Sequence, residues 1–168
     1  MSMTHFDEHG NARMVDVGAK KTTDRAATAA GSISMSAEAF AAVQNGRISK
    51  GDVLTVATAA GIMGAKQTAN LIPMCHLVPL THVAITWEMD AKRLRICCRC
   101  TAKCSGQTGV EMEALTGVST ALLTVYDMCK AIDKEMKIEA VYLAEKSGGK
   151  SGHLISKYEE ATAKPKIR

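Results

Sequence analysis

The stretch LIPMCHLVPL, residues 71–80, sets Cys75 and His76 side by side between Pro73 and Pro79 in an otherwise apolar run. Each proline fixes its own φ and steers the residue before it out of helix, so the segment reads as a braced loop. Such a loop can hold an imidazole still for acid–base work, or it can be a core crossing with a satisfied histidine. Asp127 and Lys130 stand three residues apart in a helical run, which makes them neighbours on one face. They read either as a surface ion pair or as an acid/base pair whose members tune each other's pKa. In KSGGKSG, residues 146–152, the segment GGKS has the end of a phosphate-binding loop. The first glycine of that motif would fall at Ala144, and the residues that follow do not open a helix, so the cradle of backbone amides is incomplete. Lys146 and Lys150 on this loop can still close over a polyphosphate, or they simply solvate a turn.

CCRCTAKC, residues 97–104, raises the question of a metal. Its first three cysteines fall in a strand pattern, with Cys98 and Cys100 facing one side and Cys97 the other. One strand cannot converge them on one ion, so they read as small buried hydrophobes and no metal site is expected.

These residues need elements to position them. SAEAFAAVQNG is a helix with Ser36 as N-cap and Gly46 as stop. A second helix starts at Asp52, its N-cap, and ends before Pro73. LTHVAITWEM alternates as a strand, DAKR turns, and LRICCRCTA returns as the other arm of a hairpin. VEMEALTGVSTALLTVYDMCKAI is a long helix and KIEAVYLAEK a last strand. Residues 11–18 and 25–35 read as short β-tolerant stretches broken by Gly18 and Gly31. From the second of these onward the order is β, helices, β, β, helix, β. That is an α+β chain of ferredoxin-like, split βαβ type: an antiparallel sheet with helices packed on one face.

The long helix carries no charge from Ala114 to Tyr126. Ala114, Val118, Ala121, Val125 and Ile132 suit the sheet. The opposite row runs Thr116, Thr120, Leu123, Asp127, Lys130, Lys134, and its uncharged early half predicts cover by another subunit.

The chain has 168 residues and 46% hydrophobic content, enough for one domain with a real core. No apolar run reaches the roughly 18 residues of a membrane span, and the N-terminus lacks a signal peptide's apolar stretch. Six cysteines without a secretory context predict reduced thiols in the cytoplasm. The net charge of +4 is concentrated at the end, where residues 147–168 hold five Lys/Arg against two Glu. The expected organisation is one domain over 1–152 and a basic, flexible tail over 153–168. With 4% aromatics and no basic stripe in the body, no nucleic-acid partner is expected.

Six stretches, in order along the chain, then converge: MVDV (14–17), KGDVLTVATAAGI (50–62), LIPMCH (71–76), TGVEMEALT (108–116), YDMCKA (126–131) and KSGGKSG (146–152). Together they resemble the cyclic pyranopterin monophosphate synthase family of molybdenum-cofactor biosynthesis. One departure is Leu77, where that family often has proline. The resemblance implies a lyase that converts 3′,8-cyclo-7,8-dihydroguanosine 5′-triphosphate to cyclic pyranopterin monophosphate and diphosphate. It implies a homohexamer, a trimer of dimers with sites at subunit interfaces, and no organic cofactor, with Mg²⁺ at most accompanying the triphosphate. By motif match, Asp127 and Lys130 would be the acid/base pair, with Lys50 and His76 also catalytic. Lys146 would bind substrate, Arg25 would hold phosphate, and Met74, Cys75, His76, Met112 and Glu113 would shape the nucleotide pocket. Rival readings are a thiol or metal-binding protein built on the cysteine strand and a small nucleic-acid-binding domain. The second lacks stacking aromatics in LRICCRCTA.

The match carries a geometric consequence. Glu113 and Asp127 are 14 residues apart on one helix, hence about 21 Å apart along its axis. Fourteen steps return to nearly the same face, so the two carboxylates look the same way from opposite ends. One compact nucleotide reaches both only if they come from different subunits.

Overall fold

A twelve-residue strand, β1 (Thr23–Ser34), lies at the centre of the sheet in the computed structural model, which describes residues 6–7, 9–46, 48, 51–150 and 152–162. After β1 come α1 (Ala37–Gln44), α2 (Val53–Lys66) and the single turn α3 (Thr68–Leu71). The hairpin β2 (Leu80–Asp90) and β3 (Arg95–Gly106) follows, then α4 (Glu111–Cys129), β4 (Lys137–Ser147), β5 (Leu154–Ile155) and α5 (Lys157–Thr162). The strand order is β2-β3-β1-β4-β5, every pair antiparallel. β1 and β2 therefore run parallel with β3 between them, and β3 and β4 run parallel with β1 between them. Two crossovers that each skip one strand are the split βαβ arrangement expected of the sequence.

Local chemistry explains the boundaries. The Ser36 side chain accepts a hydrogen bond from the Ala39 amide, and Asp52 accepts from the amides of Leu54 and Thr55, so both predicted caps are in place. β3 turns Cys98 and Cys100 into the core and leaves Cys97 half-buried on the other face. Burial pushes the thiols of Cys98 and Cys100 up to about 12, so they stay protonated and pack as apolar groups.

The core lies between the sheet and α4, with Ile33, Ile96, Val118, Leu122 and Val125 fully buried. Each such side chain contributes about 1.5–3 kcal/mol by leaving water. α2 packs on α4 and on β2, where the Trp87 indole donates to Thr58 Oγ1 at 2.9 Å.

Four expectations need correction. Gly31 does not break β1, because it makes room inside it. A β-carbon there would stand 2.9 Å from Val118 and Val141 and 3.0 Å from Leu122, so its absence lets α4 sit on the strand. Residues 13–17 form no strand, since the alternation there has no neighbour to pair with beyond the single bridge between Phe6 and Ala12. The neutral row of α4 is covered in part from within the chain, because Thr120 packs against Gly64 of α2. Ile132 lies beyond the helix end and is exposed.

The segment after Gly152, read as a basic tail, contains β5 on the edge of β4 and α5 on the sheet face opposite the long helices. Glu159 of α5 accepts from Arg99 of β3 at 2.9 Å and from Tyr142 of β4 at 2.8 Å. Net charge drew attention away from these few specific partners.

Candidate active site

Two adjoining clefts open at the N-terminal end of α4. The larger, about 630 Å³, lies between residues 19–26, the loop 107–111 and the loop 146–150. Five cations line it: Lys20, Lys21, Arg25, Lys146 and Lys150. Glu111 is the single acid among its lining residues. Val110 caps α4 without a side-chain hydrogen bond, so the first amides of a nineteen-residue helix face this region, with the dipole end that favours anions.

Arg25 is largely committed to structure. Its Nε donates to the carbonyl of Gly106 at 2.9 Å and its Nη2 to that of Gln107 at 3.2 Å. The remaining Nη1 lies against Gly149, whose missing side chain leaves the guanidinium its place. The guanidinium thereby ties β1 to the loop before α4 while contributing its charge to the cleft. Lys146 Nζ donates to Glu111 Oε1 at 2.9 Å.

The smaller cleft, about 330 Å³, shares Lys20, Thr108, Gly109 and Glu111 with the first. Its walls are Met74, Cys75 and His76 from the braced loop and Met112 and Glu113 from the first turn of α4. His76 Nε2 donates to the Val15 carbonyl at 2.7 Å. A carbonyl only accepts, so the proton of the neutral ring is on Nε2 and the lone pair on Nδ1. The same bond anchors the segment that carries Lys20. The prolines around the loop thus hold His76 against the extended N-terminal segment at Val15.

Burial pushes the Cys75 thiol above its ordinary value, and the Glu113 carboxylate adds to this. The group is a thiol rather than a thiolate, which suits a pocket wall and not a nucleophile. Glu113 is only 4% exposed. Burial pushes its carboxyl up, its own backbone amide opposes this, and the neighbouring Glu111 adds to the rise. Desolvation therefore outweighs the pull of the helix N-terminus.

Asp127 and Lys130 are elsewhere. They form an ion pair of 2.6 Å at the C-terminal end of α4, with side chains 59% and 53% exposed. The Asp127 hydrogen bond holds the Lys130 ammonium above its ordinary pKa. Within one chain Asp127 is about 21 Å along the helix axis from Glu113, and Lys130 is one turn further. The predicted site residues therefore divide. Arg25, Met74, Cys75, His76, Met112, Glu113 and Lys146 come together around the two clefts, and Asp127 with Lys130 stands apart. Lys50 lies outside the described residues. Sequence reasoning missed Lys20, Lys21 and Glu111. The signals were present: two lysines follow the Gly18 turn after MVDV, and Glu111 opens the VEME run.

The family model for MoaC matches residues 14–149. The chain belongs to the MoaC family. Among curated MoaC relatives, a protein of Desulfitobacterium hafniense is 56% identical over 155 residues, covering 92% of this chain and 94% of the relative. One of Dinoroseobacter shibae is 56% identical over 150 residues, covering 89% and 95%. One of Clostridium botulinum is 53% identical over 152 residues, covering 90% and 96%. All three are named cyclic pyranopterin monophosphate synthase. The MoaC match spans the smaller cleft, all of the larger one but Lys150, and the Asp127–Lys130 pair.

Proposed function

We propose that the chain is a cyclic pyranopterin monophosphate synthase, a lyase of molybdenum-cofactor biosynthesis. It converts 3′,8-cyclo-7,8-dihydroguanosine 5′-triphosphate to cyclic pyranopterin monophosphate and releases diphosphate. The observation that carries this reading is the pairing of the clefts: five cations line one, and a pocket walled by two methionines, with one buried acid and an oriented imidazole, adjoins it. A triphosphate carries its negative charge at one end and a ring system at the other, and the two clefts match that division.

Each residue then has work. Lys146, Arg25 and the neighbouring lysines neutralise the phosphates, and in doing so stabilise the charge that develops on departing diphosphate. Met74, Cys75, Met112 and Glu113 hold the ring system. His76 accepts or donates a proton through Nδ1, since Nε2 is tied to Val15. Asp127 and Lys130, with Lys50, move protons during the ring rearrangement. No organic cofactor takes part, and Mg²⁺ enters only with the triphosphate.

The site is completed by a second copy of the chain within a homohexamer, a trimer of dimers. Two features support this. The acid/base pair and the nucleotide pocket sit at opposite ends of α4. Val56 and Met63 of α2 and Leu123 of α4 expose apolar side chains, Met63 at 65% and Leu123 at 60%. The protein works in the cytoplasm, where its cysteines are kept reduced. Among the described residues no helix is long and apolar enough to cross a membrane.

The test is diphosphate release from the cyclised dihydro-GTP by purified protein. Release together with a cyclic pyranopterin product is expected, and no release from folded protein would refute the reading.

A further inference from the structure

Glu111 is out of place. A cleft built to hold phosphates gains from every cation and loses from any acid, yet this carboxylate stands in it and takes Lys146 for itself. The pair is not a loose surface contact, since the two side chains are only 25% and 30% exposed. The sequence also makes room for it. The Glu111 carboxylate folds back over Gly109 into space that any β-carbon there would fill. Glu111 further lines both clefts, so a change of rotamer moves its charge from one to the other.

We propose that Glu111 is an anion gate for the phosphate cleft. In the free protein its carboxylate occupies Lys146 where a phosphate oxygen of the substrate will bind. A phosphate and a carboxylate cannot share one ammonium at hydrogen-bond distance without strong repulsion. Entry of the polyphosphate therefore turns Glu111 away from Lys146, toward the smaller cleft. The consequence is selectivity by charge. A ligand with one phosphate gains too little from the remaining lysines to displace the carboxylate, whereas a di- or triphosphate gains enough. This inference rests on the assignment of Lys146 to the polyphosphate.

Inorganic diphosphate is the probe, titrated calorimetrically into the full-length protein at low salt. Glu111→Gln keeps the size of the side chain and removes its charge. It should bind diphosphate roughly tenfold tighter than wild type, and should narrow the preference for diphosphate over monophosphate. Glu111→Ala carries the same expectation and serves if the glutamine variant folds poorly. In a Lys146→Ala background, Glu111→Gln should gain nothing, because the contest for that ammonium no longer exists. Affinity unchanged by Glu111→Gln overturns the gate, and so does a gain that persists without Lys146. The two readings fail separately: a wrong gate leaves diphosphate release from the cyclised dihydro-GTP intact, and a wrong function abolishes it in wild type.

Discussion

The two ends of α4 are built in opposite ways. At the N-terminal end Glu113 is buried, its carboxyl is pushed up by desolvation, and glycine-rich loops close around two clefts. At the C-terminal end Asp127, in the last turn, and Lys130, the C-cap, pair in the open. An end that is buried and loop-wrapped has its environment supplied by its own chain. An end that carries a charged pair on bare surface acquires a special environment only from something that docks there. The same helix thus offers a pocket at one end and an exposed ion pair at the other. That arrangement fits a site divided between two copies better than two separate functions in one.

The largest effect should come from the exposed end. Lys130→Ala should lower turnover by about 10²–10⁴-fold, the range of general acid–base catalysis. Its melting temperature should stay where it is, because both partners face solvent. A large loss of thermal stability would show the pair to be structural, and the contrast between the ends would collapse.

At the buried end the expected effects concern binding. Lys146→Ala should raise KM for the triphosphate by roughly tenfold at low ionic strength, and added salt should weaken wild-type binding in the same direction. An unchanged KM would return the glycine-rich loop to a mere turn.

The smallest effect should be a pH dependence of stability from Glu113. Its folded carboxyl is held above the ordinary value of 4.5 by burial. The folded state thus binds this proton more tightly than the unfolded state. Stability from this group is present below the ordinary value and is lost as pH rises through the raised one. Glu113→Gln removes the dependence. The melting temperature of wild type relative to Glu113→Gln should therefore fall by a few degrees between about pH 4 and about pH 7. A difference that stays flat would mean that the carboxylate is stabilised by more than its own backbone amide.

Legibility in the sequence followed the range of the interactions. Ser36 and Asp52 announced their helices because a cap acts within three residues. The hairpin around DAKR was readable for the same reason, and the split βαβ arrangement followed from the order of the elements. Gly31 misled because its meaning lies in Val118 and Leu122, far along the chain. The short elements after Gly152 were hidden because Glu159 is held by Arg99 and Tyr142, which nothing nearby in sequence suggests. In the candidate site, motif order pointed to His76, Glu113 and Lys146. Lys20, Lys21 and Glu111 emerged only once folding had placed residues 15–21 beside the loop before α4. The separation of Glu113 from Asp127 was readable from the 3.6-residue period alone, because a helix fixes its own ruler.

That separation sets the decisive experiment. Glu113→Ala and Asp127→Ala are each expected to be inactive alone. Co-expressed, they are expected to form mixed assemblies, and a site drawn from two chains then includes some with both wild-type residues. Diphosphate release should return in part in the mixed assembly. If mixed assemblies form and remain as inactive as either parent, the two carboxylates act from one chain and the shared site is wrong.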